Sequence, residues 1–257
     1  MSSAFKKTLN IIIPVYNEGD NILKTFEEIE SKINVEDLKI FVVYDFPEDN
    51  TVPVVKKLIA EKGLTNVTLL RNKYGRGVLT AIKSGFEEVQ QGAALVIMAD
   101  LSDDLAAVGP MLEKLASGFD LVCGSRYMRG GKQIGGPKLK KLLSRLAGVT
   151  LHYLIWIPTH DVTNSFKLYS KKVLDAVTIE STGGFEIGME IVIKSYINGF
   201  KIGEVPSIWR DRTAGESNFK MWKWLPKYIY WYLYAMRHTL LRVVANGTGK
   251  PARTVKK

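Results

Sequence analysis

Cysteine occurs once among the 257 residues, at Cys123, and histidine only three times. A single thiol cannot close an internal disulfide, and no Cys/His cluster exists to hold zinc, so neither device stabilises this fold. No Gly-x-Gly-x-x-Gly follows the first apolar run, and no Gly-x4-Gly-Lys-Ser/Thr occurs anywhere. A dinucleotide fingerprint and a P-loop are therefore disfavoured. Met1 to Asn10 lack the apolar heart of a secretory signal, so the chain is expected to stay in the cytoplasm. No run of about 18 residues is free of charge, and no spanning helix is expected. Repeats and low-complexity segments are missing as well.

What is present is an ordinary globular share of apolar residues, 46%, enough for one good core with at most an appendage. The net charge of +10 is segregated. Seven Lys/Arg fall between Arg126 and Arg145 and eight between Met221 and Lys257, with no acid in either segment. The rest of the chain holds 21 cations against 26 acids and is net negative. An acidic body with two basic segments suits a surface that faces anions: a membrane, nucleic acid or phosphorylated substrates.

Strand and helix signals alternate through the first half. Apolar runs at Leu9 to Val15, Leu38 to Tyr44, Val67 to Leu70, Ala94 to Ala99 and Phe119 to Cys123 read as buried strands. Between them, Asn21 to Ser31, Thr51 to Glu61, Gly77 to Gln91 and Leu105 to Ala116 carry helical spacing. This pattern predicts an α/β fold, a mostly parallel sheet covered by helices. After Cys123, Arg129 to Pro137 holds four glycines and a proline and is expected to be a mobile loop. A basic amphipathic helix is expected from Lys138 as far as Ile157, a strand at Phe166 to Tyr169, a helix at Gly184 to Asn198 and a last strand at Lys201 to Trp209. The domain division expected is a body of 1–220, an amphipathic aromatic and basic helix at 221–245, and a disordered basic tail at 246–257.

In a parallel sheet the carboxyl ends of the strands open into one crevice, where ligands bind. Here those ends deliver Pro14-Val-Tyr-Asn-Glu18, then Asp45, Asp100 and Gly124-Ser-Arg-Tyr127. Tyr16 suits the face of a base and Asp45 a ring N–H. Asp100, with Asp103 and Asp104 close behind, suits a hard divalent cation carrying phosphates, and Arg126 suits phosphate through its fork. Nucleic acid is excluded as a partner because strand-end acids would repel its backbone.

These motifs resemble, in order, those of the family 2 glycosyltransferases. They are Ile12-Ile-Pro-Val-Tyr-Asn-Glu18, Asp45, Met98-Ala-Asp100-Leu-Ser102, Gly124-Ser-Arg-Tyr127, Asp161-Val-Thr-Asn-Ser-Phe166 and Gly215-Glu-Ser217. The likeness spans about residues 8 to 220 and is greatest to the dolichyl-phosphate mannose synthases and other polyprenyl-phosphate sugar synthases. It implies a GT-A fold, inverting transfer of a hexose from a GDP- or UDP-sugar, and Mg2+ or Mn2+ as cofactor. By position it implies nucleotide-sugar contacts at Pro14, Tyr16, Glu18, Asp45, Ala99, Asp100, Arg126 and Arg212, with Lys220 as a further phosphate contact. Metal ligands are expected from Asp100, Ser102, Asp103 and Asp104. Acceptor phosphate falls to Arg126, Lys140 and Ser144, and catalysis to Asp100, Arg126 and Arg212.

The chain departs from the family at Met98, where the first acid of Asp-x-Asp is expected, and at Tyr44 and Phe46-Pro47, where a double acid and a Gly-Ser turn are usual. A thioether is a poor ligand for a hard cation, so Asp103 or Asp104 is expected to replace the lost carboxylate. A lipid phosphate is already anionic and needs no general base, which agrees with His152, His160 and His238 lying outside the motifs. A sugar-hydroxyl acceptor, as in surface polysaccharide synthesis, would need one, with Asp161 or Glu190 as candidates. A catalytically silent nucleotide- or lipid-binding module is the third alternative. Seven Trp and Tyr between Met221 and Val244, interleaved with Lys and Arg, suit the headgroup layer of a membrane, so peripheral attachment to its cytoplasmic face is expected. Packing of this helix on the body, on a membrane protein or on a second copy is the competing reading.

Overall fold

A computed structural model describes residues 8–211 and 221–246. The strand runs form where the apolar patterns place them. Strands β1 (Leu9–Val15), β2 (Leu38–Tyr44), β3 (Val67–Arg71), β4 (Ala93–Val96) and β5 (Leu121–Ser125) alternate with helices α1 (Gly19–Lys32), α2 (Thr51–Lys62), α3 (Val78–Glu87) and α4 (Val108–Ala116). A 3-10 turn, Leu105–Ala107, leads into α4. Every residue of β1 is buried, as a central strand covered on both faces requires. Gly63, left-handed at φ 61°, ends α2, where a side chain would be strained.

The second half supplies β6 (Lys132–Ile134), α5 (Lys138–Ile155), β7 (Lys167–Ser170), α6 (Lys171–Ala176), α7 (Ile187–Ile197), β8 (Ile202–Pro206), β9 (Ile208–Arg210) and α8 (Met221–Asn246). Seven strands make one sheet in the order β3-β2-β1-β4-β7-β5-β8, and β6 pairs in parallel with β9 in a second, two-stranded sheet. All neighbours in the large sheet are parallel except β7, which runs antiparallel between β4 and β5. This is the expected α/β architecture with helices on both faces. One face is covered by α1, α2 and α4, the other by α3, α5, α7 and α8.

Three expectations change. The glycine-rich loop at Arg129 to Pro137 contains β6, held in register with Ile208–Arg210. The single last strand divides at Ser207, with β8 in the main sheet and β9 in the small one. The helix at α3 ends at Glu87 rather than near Gln91, because Gly92 (φ 80°) must pass the Thr8 carbonyl to start β4, so closely that a side chain there would meet its oxygen at 1.9 Å.

Candidate functional site

Because β1, β2, β4 and β5 are parallel, their carboxyl ends share one edge, and antiparallel β7 brings the segment before it to that same edge. The tip of β1 turns sharply through Asn17, left-handed at φ 53°. The Asn17 N–H donates to Asp49 (3.0 Å) and the Glu18 N–H to Thr51 (2.9 Å), which fixes the turn against the start of α2. Tyr16 is left 48% exposed, its ring edge-on to Phe46 at 5.6 Å. Phe46, in turn, lies under the Arg76 guanidinium at 4.7 Å. Pro14 and Ala99 are buried backbone positions, and Glu18 accepts from Asn21 at 2.7 Å.

Asp45 ties two loops together. One carboxylate oxygen accepts from Asn72 (2.7 Å) and the other from the Gly77 N–H (3.0 Å), so the turn before α3 is built around it. Asn72 is a contributor that sequence reading missed; Gly75-Arg-Gly77 reads in the sequence as a turn and helix start near the substrate, and Gly77 takes φ 138° there.

At β4 the strand stops at Val96, and residues 97–104 fold into a tight acidic loop with Leu101 at φ 59°. Asp100 is 8% exposed and accepts from the Ser102 N–H at 3.1 Å. Asp103 accepts from the Met98 N–H at 3.1 Å. Burial, then the Asp100 carboxylate beside it, pushes the Asp103 carboxyl up to about 7. Asp104 does something different: it accepts from Ala106 (3.2 Å) and Ile208 (3.4 Å), capping the 3-10 turn and anchoring β9. Among the described residues no group of three or more His, Cys, Asp or Glu side chains is arranged to hold an ion. The loop therefore offers the Asp100–Asp103 pair and Ser102, a partial donor set that suits a cation completed by substrate phosphates and not an all-protein cage.

The β5 tip carries Arg126, 8% exposed, and the loop before β7 carries Asp161, fully buried. Asp161 accepts from Arg126 Nε (2.7 Å), Nη2 (2.9 Å) and backbone N–H (3.1 Å), a bidentate pair. The same Nη2 donates to Ser144 on α5 (3.0 Å) and to Thr163 (2.9 Å). Burial opposes both charges, yet each stabilises the other: the guanidinium is held above its ordinary value and the Asp161 carboxyl below its own. Tyr127 joins through its hydroxyl, 2.7 Å from Ser144. Lys140 sits one turn before Ser144 on α5.

Lys167, at the start of β7, was not anticipated. It is fully buried and donates to the carbonyls of Val162 (3.2 Å) and Asn164, holding the Asp161 loop from beneath. Burial lowers its pKa. A lysine inside an apolar strand between Phe166 and Leu168 is the signal in the sequence. Asp161 and Glu190, the two candidates for a general base, are both committed. Glu190 accepts from the N–H groups of Glu180 (2.6 Å) and Ser181 (2.9 Å) and from Lys194 (2.7 Å). Arg212 and Lys220 lie outside the described residues.

A family model, "Glycosyl transferase family 2", matches residues 10–178. The chain belongs to glycosyltransferase family 2. It is 31% identical over 216 residues to a dolichol-phosphate mannosyltransferase of Pyrococcus furiosus, covering 82% of this chain and 59% of that protein. The chain thus spans less than two thirds of that relative. A polyprenol monophosphomannose synthase of Mycolicibacterium smegmatis is 26% identical over 213 residues, 80% of this chain and 79% of the relative. Among solved structures, glucosyl-3-phosphoglycerate synthase from Mycobacterium tuberculosis, in complex with Mn2+, UDP and phosphoglyceric acid, superposes with a TM-score of 0.67 at 14% identity, over 89% of this chain and 78% of that one. A Pyrobaculum calidifontis mannosyltransferase with GDP-Man and Mn2+ gives 0.62 at 16%, over 90% and 65%. These likenesses establish the GT-A fold for this glycosyltransferase.

Its helix α8 divides its residues between two surroundings. Trp231, Ala235 and Thr239 are buried, and the Trp231 indole donates to Ser181 at 2.9 Å. Trp222, Ile229, Tyr230, Leu233, Leu240 and Val244 are exposed. On α5, which packs against α8, Leu139, Leu142, Leu146 and Tyr153 form an exposed stripe at helical spacing. No helix among the described residues is long and apolar enough to cross a membrane.

Proposed function

We propose that this enzyme transfers a hexose, with inversion, from a GDP- or UDP-sugar to a polyprenyl phosphate at a membrane surface. The observation that carries this reading is the construction of α5. Its inner side gives Ser144 to the Arg126 guanidinium, while its outer side shows solvent four large apolar side chains. One helix thus joins an anion-binding cluster to a surface suited to lipid, which is what a phosphate on a hydrocarbon chain demands. The likeness to a dolichol-phosphate mannosyltransferase and a polyprenol monophosphomannose synthase supports the acceptor class.

On this reading the nucleoside lies along Tyr16, Phe46 and Asp45, with Pro14, Glu18 and Ala99 shaping the floor. Asp100, with Ser102 and Asp103, would hold Mg2+ or Mn2+, since the mutual repulsion of the two acids is what a cation relieves. Bound there, the ion supplies neutralising charge for the departing diphosphate. Asp104 is left to structure. Arg126 and Ser144, with Lys140, orient the acceptor phosphate, whose oxygen is ionised near neutral pH and attacks without a base, while Arg126 and Arg212 neutralise the departing diphosphate. The commitment of Asp161 and Glu190 to other partners fits chemistry that needs none. The exposed faces of α5 and α8 rest on the headgroup layer, aromatic rings and basic residues together.

The test is transfer of radiolabelled sugar from GDP-mannose and UDP-glucose to a short polyprenyl phosphate with Mn2+. Extraction of label into organic solvent, lost in Arg126→Ala, is expected. Transfer confined to hydroxyl acceptors, with a rate that rises on deprotonation of an enzyme group, would overturn the acceptor assignment.

A further inference from the structure

Apart from the strand-tip crevice, a cavity of about 250 Å³ opens between the start of α3 and the 179–183 segment that precedes α7. Its walls come from Tyr74, Arg76, Thr80 and Lys83 on one side and Ser181 and Thr182 on the other, among others. None of the residues lining it is acidic. Three acids bond to residues that line it, and each is engaged: Asp45 by Asn72 and the Gly77 N–H, Glu87 by the Tyr74 hydroxyl and Lys73, and Glu190 by the Glu180 and Ser181 N–H groups and Lys194. A third cation stands at the rim, since Lys227 of α8 donates to the Thr182 hydroxyl at 3.3 Å.

We propose that this cavity binds the phosphate group of a second ligand, independently of a metal ion. Arg76 and Lys83 line it with positive charge, and Ser181 and Thr182 add two hydroxyls able to donate to phosphate oxygens, the Thr80 hydroxyl being already given to the Gly75 and Gly77 carbonyls at 2.8 Å. Lys83 is already placed: its ammonium lies over the Tyr74 ring at 4.2 Å, which limits the freedom it loses on binding. None of the Asp100 loop lines the cavity, so its binding does not call on the Asp100 and Asp103 carboxylates. The volume admits a diphosphate or a phosphorylated group of monosaccharide size and excludes a whole nucleotide-sugar. This inference extends the proposed function: Arg76 and Gly77 adjoin the nucleoside wall through Phe46 and Asp45, while Lys83, Ser181 and Thr182 belong to the cavity alone.

Isothermal titration of the whole protein with inorganic pyrophosphate in EDTA removes metal-dependent donor binding, and Lys83→Met separates the cavity from the Arg126–Ser144 cluster. Saturable binding is expected, weakened about tenfold by Lys83→Met and retained by Lys83→Arg, in line with the loss of one charge-assisted contact. Asp100→Ala is expected to leave this binding intact while abolishing Mn2+-dependent nucleotide binding. Sedimentation with vesicles of phosphatidylcholine with or without phosphatidic acid separates the sources. Lys83-dependent pelleting with phosphatidic acid identifies a lipid headgroup, and its absence alongside pyrophosphate binding identifies a soluble phosphate. No binding of either probe, or binding that Lys83→Met leaves unchanged, overturns the proposal. Loss of pyrophosphate binding in Asp100→Ala overturns its independence from the donor crevice.

Discussion

Replacing Asp161 by Asn tests the buried ion pair at the centre of the site. The carboxylate accepts three hydrogen bonds from Arg126, one from the Asn164 N–H at 3.1 Å and one from Thr163 at 3.2 Å. An amide keeps one oxygen but turns an NH2 toward donors on the other side, and it leaves the 8% exposed guanidinium without a counter-charge. Breaking one partner of such a pair costs about 3–5 kcal/mol. For a chain of this size about 2–4 °C is lost per kcal/mol, so the melting temperature should fall by about 6–20 °C. Arg126→Met alone should cost a similar amount, because it strands the carboxylate. The double variant Asp161→Leu/Arg126→Met should recover much of the loss, since apolar replacements of similar volume often match a buried pair. Urea unfolding of the parent, Asp161→Leu, Arg126→Met and the double variant gives the coupling energy through a double-mutant cycle. A cost for Asp161→Asn below about 1 kcal/mol, the range of exposed pairs, would refute the reasoning, as would a double variant no more stable than the sum of the singles. Sugar transfer by the rescued double variant should still be absent if Arg126 holds the acceptor phosphate.

The same carboxylate sets an acid limb. Its folded pKa is depressed, so its contribution is complete above the unfolded value of about 3.9 and is lost as pH falls through the lower folded value. Thermal unfolding from pH 6 to pH 2 should show a steeper loss in the parent protein than in Asp161→Asn. In the acidic loop, Mn2+-dependent nucleotide binding measured by fluorescence should vanish in Asp100→Ala and weaken in Asp103→Asn, whereas Asp104→Ala should lower the melting temperature instead. Leu142→Glu combined with Leu233→Glu should reduce partitioning onto anionic vesicles roughly tenfold or more, because each exposed leucine carries some 1.5–3 kcal/mol of burial energy, with little change in melting temperature.

The strands of the first half were legible because a strand buried on both faces is an uninterrupted apolar run with abrupt polar ends. Leu9–Val15 and Leu38–Tyr44 appear in the structure with the bounds their sequence suggests. The shared edge of Tyr16, Asp45, Asp100 and Arg126 followed from that. Pairings between distant short segments were not legible: β6 and β9 are three residues each, and nothing local marks Lys132 as the partner of Ile208. The Arg126–Asp161 bond was hidden for the same reason, since 35 residues separate the partners and only the reversed direction of β7 brings them together. On α8, helical spacing showed an amphipathic helix, but which aromatic rings face the body depends on the shape of α5 and α7.

Strand β7 also decides when the molecule can be finished. Strands β4 and β5 are not paired with each other: on their facing edges both pair with β7, inserted between them, while their outer edges pair with β1 and β8. A ribosome that has released the first 160 residues has made β3, β2, β1 and β4, a set that pairs through parallel crossovers of its own, but β5 has no neighbour to receive it. The two halves of the crevice edge therefore become one surface only when β7 slots in, a contact between segments far apart in the chain and thus a slow one. Until then two sheet edges stay open, unpaired backbone of the kind that makes a half-made sheet prone to aggregate.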